Sequence, residues 1–261
     1  MIGIKYLLLG IMPVALMGCA GSARLTGSSG NGMVAVTHEQ AGGHALVVMR
    51  PTGDTRLRFV SHKQQGFAVA PAIDDRHVLL NVAAAFTLDT ATMDVCGDHV
   101  IAGERIGGYR DVTATGHMLI VGGKVSIFPN TRLQESINAA IKGGGYLFQQ
   151  CLIVEDGTGR VERIPQAIRD RQAHIIYRAA CVMGDGSVAV VQGGEPMYCH
   201  EFVAALVSLG ARQALYLDMG TWAWGWVRPD GGEPLELAER YFNTRYQSNW
   251  LQIVRENSDS A

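Results

Sequence analysis

Tyr177-Arg178-Ala179-Ala180-Cys181-Val182, a turn through Gly184-Asp185-Gly186, Ser187-Val188-Ala189-Val190-Val191, an apolar stretch over 198–209, and Ala214-Leu215-Tyr216-Leu217-Asp218-Met219-Gly220-Thr221 decide how this chain folds. The pattern reads as two strands joined by a tight turn, a helix, and a third strand that ends on a lone carboxylate. A carboxylate at the point where a buried strand gives way to glycine is held by the strand, while the glycine lets a ligand come close. Asp218 is therefore the first candidate for function.

Short apolar or alternating runs surround this segment: 33–36, 44–49, 56–61, 77–86, 118–121 and 125–128, separated by Gly- and Asp/Asn-rich turns. Further strands are expected near 146–155, 174–183, 187–192, 212–218 and 250–254. A helix is expected over 132–142, with Thr131 and Gln134 as a capping box and Gly143-Gly144-Gly145 as the stop. A second is expected over 198–209, ending at Gly210, and a short third after Pro234. Interleaved strands and helices give an α+β expectation: one domain with a central mixed or antiparallel sheet and a few flanking helices.

Arg178 sits among Ile175, Ile176, Ala179, Ala180 and Val182. A guanidinium on such a strand needs an anionic partner or a wet cleft, because an unpaired buried charge is costly. It can serve as a fork for phosphate or carboxylate, or as one half of a structural ion pair. Trp222, Trp224 and Trp226 alternate, so on a strand they share a face, as a sugar platform or as core. A second catalytic carboxylate could come from Asp89, Asp94, Glu104, Glu195 or Glu201. No P-loop, dinucleotide fingerprint, serine elbow or zinc-binding helix is present, so no metal or cofactor is assigned.

The N-terminus reads as an export signal. Lys5 precedes an apolar run from Tyr6 to Met17, which is shorter than the roughly 20 residues that span a bilayer. Leu16-Met17-Gly18-Cys19 resembles a bacterial lipobox, giving a signal peptide over 1–18, a lipidated Cys19 with a Gly/Ser-rich tether over 19–32, and a folded domain over 33–261. Ala20 resembles the outer-membrane sorting pattern, so a lipid-anchored protein of the bacterial cell envelope is expected. The net charge of −2 gives no electrostatic footprint for nucleic acid, and the 48% apolar content supports a well-buried core. Cys96, Cys151, Cys181 and Cys199 can pair as disulfides or act as small buried hydrophobes.

Over residues 77 to 227 the chain resembles the phosphodiester glycosidase family, which includes the enzyme that uncovers mannose 6-phosphate tags. Arg178 matches the arginine of the family's Arg-Thr strand pair. Asp218 and Gly220 match its Leu-Asp-Gly-Gly-Gly-Ser motif. Phe148 to Gly157 resembles a Gln-Thr-Gly-Pro-Leu-Leu-Val strand, and Asn81 to Phe86 an Asn-Gly-Gly-Phe-Phe stretch. Met219 and Trp222 replace a glycine and the serine, and Gln150 and Cys151 stand in place of Gly-Pro.

The resemblance implies hydrolysis of a sugar 1-phosphodiester in a glycan. Arg178 would hold the phosphate and Asp218 would act at the anomeric carbon. Tyr177, Gln149, Gln150, Gly220, Thr221, Trp222 and Trp224 would shape the pocket. The leaving phosphate monoester needs charge stabilisation more than protonation, which an arginine and an aspartate together supply. The bulk of Met219 and Trp222 motivates the alternative, an inactive glycan-binding or scaffold lipoprotein of the same fold.

Overall fold

In the computed structural model the turn at Gly184–Gly186 joins two strands: Gly186, at φ +84°, donates to the Met183 carbonyl, and Met183 to that of Ser187. The structure describes residues 32–61, 73, 75–89, 92, 94–107, 114–169, 174–218, 224–230, 232–238 and 247–256. The hairpin lies inside a seven-stranded sheet. Its order is β1 (Met33–Ala41), β2 (His44–Thr52), β15 (Val188–Gly193), β14 (Arg178–Met183), β16 (Ala211–Tyr216), β12 (Leu152–Glu155) and β13 (Thr158–Gly159).

A second sheet runs β10 (Lys124–Pro129), β9 (Gly116–Val121), β11 (Tyr146–Gln150), β7 (His99–Ile101) and β8 (Glu104–Ile106). A third runs β18 (Leu235–Ala238), β17 (Gly225–Val227), β4 (Val78–Ala83), β19 (Asn249–Arg255) and β3 (Thr55–Ser61). β5 (Thr87–Asp89) and β6 (Asp94–Val95) form a ribbon.

Each sheet turns one face to a shared core. Met49, Ala180, Val190 and Leu215 enter it from the first sheet, Met118, Ile120 and Phe148 from the second, and Phe59, Leu80, Leu251 and Ile253 from the third. The opposite faces are covered separately, because a sheet buries both faces only when another layer packs on each. Helix α2 (Cys199–Ser208) covers the first through Phe202, Val203 and Leu206, packed on Ala179, Cys181 and Tyr216. Helix α1 (Leu133–Lys142) covers the second through Ile137 and Ala140. On the third sheet Trp224 and Trp226 pack with Val78 and Val254, and Trp250 with Val60. A polar row crosses this tryptophan layer: Arg58 Nε donates to Gln252 Oε1 at 2.8 Å, and Gln252 Nε2 to Asn81 Oδ1 at 2.9 Å.

The architecture corrects the α+β expectation: the protein is a mainly-β sandwich of three sheets, and every ladder between the named strands is antiparallel. Three local readings are corrected with it. Pro234 opens the edge strand Leu235–Ala238, not a helix, because that segment bonds along β17. The run 146–155 is not one strand: it leaves the second sheet at Gln150 and enters the first at Leu152. Helix α1 starts at Leu133 after a 3-10 turn (Asn130–Arg132), without the Thr131 side-chain cap that was expected. The four cysteines Cys96, Cys151, Cys181 and Cys199 are buried thiols that form no disulfide. Burial pushes the Cys181 thiol up to about 12 and the Cys199 thiol up to about 11, so neither carries thiolate at neutral pH.

His117, on β9, is fully buried and faces the start of α1. Its Nδ1 lies 3.4 Å from Asn130 Oδ1, and its Nε2 has no hydrogen-bond partner. Burial, only partly offset by Asn130, lowers its pKa from 6.5 to about 4. The unfolded chain therefore takes up this proton near pH 6.5 and the folded one only near 4. Stability falls as pH drops through that window, by up to about 1.4 kcal/mol per pH unit. Urea unfolding at several pH values between 7 and 4.5 should show a His117→Gln variant with a shallower slope than wild type by about one proton. A second prediction concerns the shared core, where Phe148 stacks on Phe59 with centroids 4.9 Å apart. Phe148→Ala should lower the unfolding free energy by about 3–5 kcal/mol in the same assay.

Candidate functional site

The ends of the three sheets meet at one carbonyl. Ala84, just past β4, accepts the backbone N–H of Asp218 at 2.9 Å and Gln150 Nε2 at 3.4 Å. Gln150 is the last residue of β11, and its Oε1 accepts the N–H of Cys151 at 2.9 Å as the chain changes sheets. The Cys151 carbonyl then takes the N–H of Tyr216 at 2.9 Å, closing the corner onto the first sheet. Asn249 brackets the next residue, since its side chain accepts from Ala85 N and donates to Ala85 O at 2.7 and 3.0 Å. Asp218, 6% exposed, is thus fixed by its own backbone at a junction rich in buried polar groups: Gln150, Arg178, Gln192, Ser248 and Asn249.

Arg178 opens β14 and is fully buried. Its register partner across the hairpin is Gln192, whose Oε1 accepts from Nε at 2.9 Å and also from Nη2. Gln192 is itself held by a 2.9 Å bond from its Nε2 to the Leu237 carbonyl of the third sheet. The guanidinium is therefore oriented by a neutral amide, and burial lowers its pKa to about 9. Tyr216 pairs with Ala179, and the Arg178 carbonyl accepts from Leu217 N at 3.0 Å, so β16 carries Asp218 past the start of β14. Burial, and next the negative charge of Asp218, hold the Tyr216 phenol well above 10. Tyr216 in turn favours the charged form of Arg178, so the phenol lies within electrostatic reach of both residues. A buried guanidinium oriented by Gln192 and an aspartate held through its backbone at the same corner make a charge pattern that can take an oxyanion beside a reacting carbon.

The other expected residues fall in three places. Tyr177, 1% exposed, stacks on Phe202 at 5.7 Å, and burial pushes its phenol up to about 12. Gln149 sits opposite His117, and its Oε1 accepts the Asp98 N–H at 2.7 Å, so it anchors the turn at Gly97. There a Cβ on Gly97 would come within 2.7 Å of that side chain. Trp224 is 2% exposed in the layer behind the third sheet. Met219, Gly220, Thr221 and Trp222 lie outside the described residues, as does Cys19.

Among the candidate acids, Glu104 and Glu195 are exposed, Glu201 accepts the Tyr198 N–H at 2.7 Å at the start of α2, and Asp94 accepts from Thr92. No group of three or more His, Cys, Asp or Glu residues that could hold a metal ion occurs among the described residues.

Sequence reasoning missed Gln192, Tyr216 and Asn249. Gln192 could have been found by counting back from the Gly184–Gly186 turn, since that turn sets Arg178 against Gln192. Nothing in the sequence marked Asn249.

No family model matches the chain, and no curated protein matches it. Among solved structures, the chain is similar to the catalytic domain of zebrafish N-acetylglucosamine-1-phosphodiester alpha-N-acetylglucosaminidase, auto-inhibited by its pro-peptide. The TM-score is 0.57 with 12% identity, over 87% of this chain and 83% of that one. A hypothetical protein from Synechocystis matches at a TM-score of 0.48 with 14% identity, over 85% of this chain and 61% of that one. At these identities the likeness to the zebrafish domain is one of fold, a distant relationship in architecture.

Proposed function

We propose that this chain is a hydrolase of the cell envelope that cleaves a sugar 1-phosphodiester in a glycan. Arg178 binds the phosphate, and Asp218 acts at the anomeric carbon. The observation that carries this reading is the buried Arg178, oriented by Gln192 at the corner where Asp218 is fixed. A guanidinium whose pKa burial has lowered to about 9 is stabilised by an incoming phosphate, so binding energy is concentrated on the group that must leave. The bond from the anomeric carbon to the phosphate oxygen breaks, water supplies the new oxygen on carbon, and the phosphate monoester departs as an anion against Arg178. The zebrafish domain, which shares the fold, is named for a phosphodiester glycosidase activity, and this supports the same reaction class here.

The assay is release of phosphate monoester from aryl and UDP-linked sugar 1-phosphodiesters. Asp218→Asn should lower kcat on the order of 100-fold or more, the range for losing a positioned acid or base. Arg178→Lys, which keeps charge but not the fork, should raise KM and lower kcat together. Undiminished turnover in Asp218→Asn would remove that carboxylate from the mechanism. Binding of the substrates without turnover by wild type, unaffected by Asp218→Asn, would instead assign the fold to glycan recognition.

The envelope location rests on the sequence of the first 32 residues. Lipidation at Cys19 would tether the domain through its Gly/Ser-rich leader to the outer membrane. Cys19→Ala should move the protein from the membrane fraction to the soluble fraction of the envelope. Retention of that variant through a high-salt wash would mean that something other than the lipid holds it.

A further inference from the structure

At the far end of β4 from Asp218 lies a second buried guanidinium. Arg228 follows β17, its N–H donates to the Leu79 carbonyl at 2.7 Å, and its side chain is 1% exposed. Leu79 and Ala84 are five strand positions apart, which places the two ends about 17 Å from each other. Nη1 of Arg228 donates to the Gly232 carbonyl at 2.8 Å and Nη2 to the Ile73 carbonyl at 2.6 Å, whereas Nε–H has no acceptor. Trp226 lies under the guanidinium, 5.8 Å from its carbon. Two carbonyl dipoles and an aromatic face orient this charge, but no carboxylate among the described residues pairs with it. A buried cation held this way is incomplete without a counter-ion.

The space for that counter-ion is present. Arg228 lines a cavity of about 240 Å³ together with Ile73, Arg76, Glu233 and Pro234. Arg76 brings a second guanidinium, 69% exposed, and its one carboxylate contact among the described residues is a loose 3.6 Å pair with Glu233, itself 85% exposed. Such a pair contributes little and can be displaced. Arg255 packs behind, its Nη1 donating to the Arg76 carbonyl and its Nε to that of Gly32. Three guanidiniums thus share this corner, and the nearby Asp75 carboxylate is turned onto the His77 N–H at 3.0 Å. The free Nε–H of Arg228 and the unused N–H groups on its two Nη atoms are directional donors of the kind that grips a planar or tetrahedral oxyanion.

From these observations we infer that the cavity between Ile73, Arg76, Arg228 and Glu233 is a binding site for a compact oxyanion, a phosphate or a carboxylate, with Arg228 as the fixed donor, Arg76 as the mobile one, and Glu233 as the competitor the ligand displaces. The site is separate from the Arg178–Asp218 corner and does not depend on the reaction proposed there.

The test titrates the full-length protein at low ionic strength with inorganic phosphate, glucuronic acid and, as the uncharged control, glucose. Calorimetry and the shift in melting temperature are the readouts. All variants carry Arg178→Gln, so that the corner site does not contribute. Phosphate or glucuronate should bind and glucose should not, and the better of the two identifies the oxyanion. Arg76→Gln should raise Kd about 2- to 5-fold, and Glu233→Gln should lower it by a similar factor. Arg228→Met should abolish the response; because that change touches the core, circular dichroism must show it folded, and Arg228→Lys, which keeps charge but not the fork, should weaken binding if Met does not fold. No binding of either anion, or affinity indifferent to both Arg76→Gln and Glu233→Gln, would overturn the assignment. Neither of those two surface changes should alter turnover by the protein with Arg178 intact.

Discussion

The carbonyl of Ala84 is the point on which the rest of the structure depends. Three sheets that share a core must end somewhere in common, and wherever they end, strand N–H and C=O groups lose their ladder partners. Buried groups of that kind are costly if left unmet. Here the Asp218 N–H and the Gln150 side chain both go to Ala84, the Tyr216 N–H goes to Cys151, and Asn249 satisfies both backbone groups of Ala85. The polar side chains at this corner are therefore needed for the fold before any chemistry is considered. The same need places Asp218 and Gln150 side by side, with Arg178 one strand away.

Buried positive charge is managed in two different ways. Arg178 is oriented by the amide of Gln192, which a third-sheet carbonyl holds in turn, so its direction is set by a chain of neutral groups crossing between sheets. Arg228 is oriented by two backbone carbonyls and the face of Trp226. Burial lowers the pKa of Arg178 to about 9, so a ligand that brings negative charge favours its cationic form.

The likeness to the zebrafish catalytic domain extends over most of both chains at 12% identity. What such distant chains can share is the layering, since the positions that fill the core need only be apolar and of suitable volume. The site is a different matter. Gln150 and Cys151 stand where the family resemblance would put Gly-Pro, yet here they make the bonds that turn the chain from one sheet into the next. Function on a shared fold follows from such local residues and not from the layering.

Local pattern was enough for several elements. Alternation and the Gly184–Gly186 turn gave the hairpin, though the Arg178–Gln192 pair set by its register was overlooked; the apolar period and Gly210 gave α2; Gly143–Gly145 gave the end of α1. These features depend on contacts within about a dozen residues, and the residues that make them are adjacent in the chain. Tertiary structure decided the rest. Whether Leu235–Ala238 became helix or strand depended on the free edge of β17, and whether 146–155 stayed one strand depended on a corner built from Ala84 and Tyr216. Trp224 and Trp226 share a face, as their spacing requires, but that they meet Val78 and Val254 follows from strand order in the third sheet. Sequence spacing fixes which side chains point the same way; only the packing of distant strands fixes what they point at, because those partners are brought together by burial of surface that no local window contains.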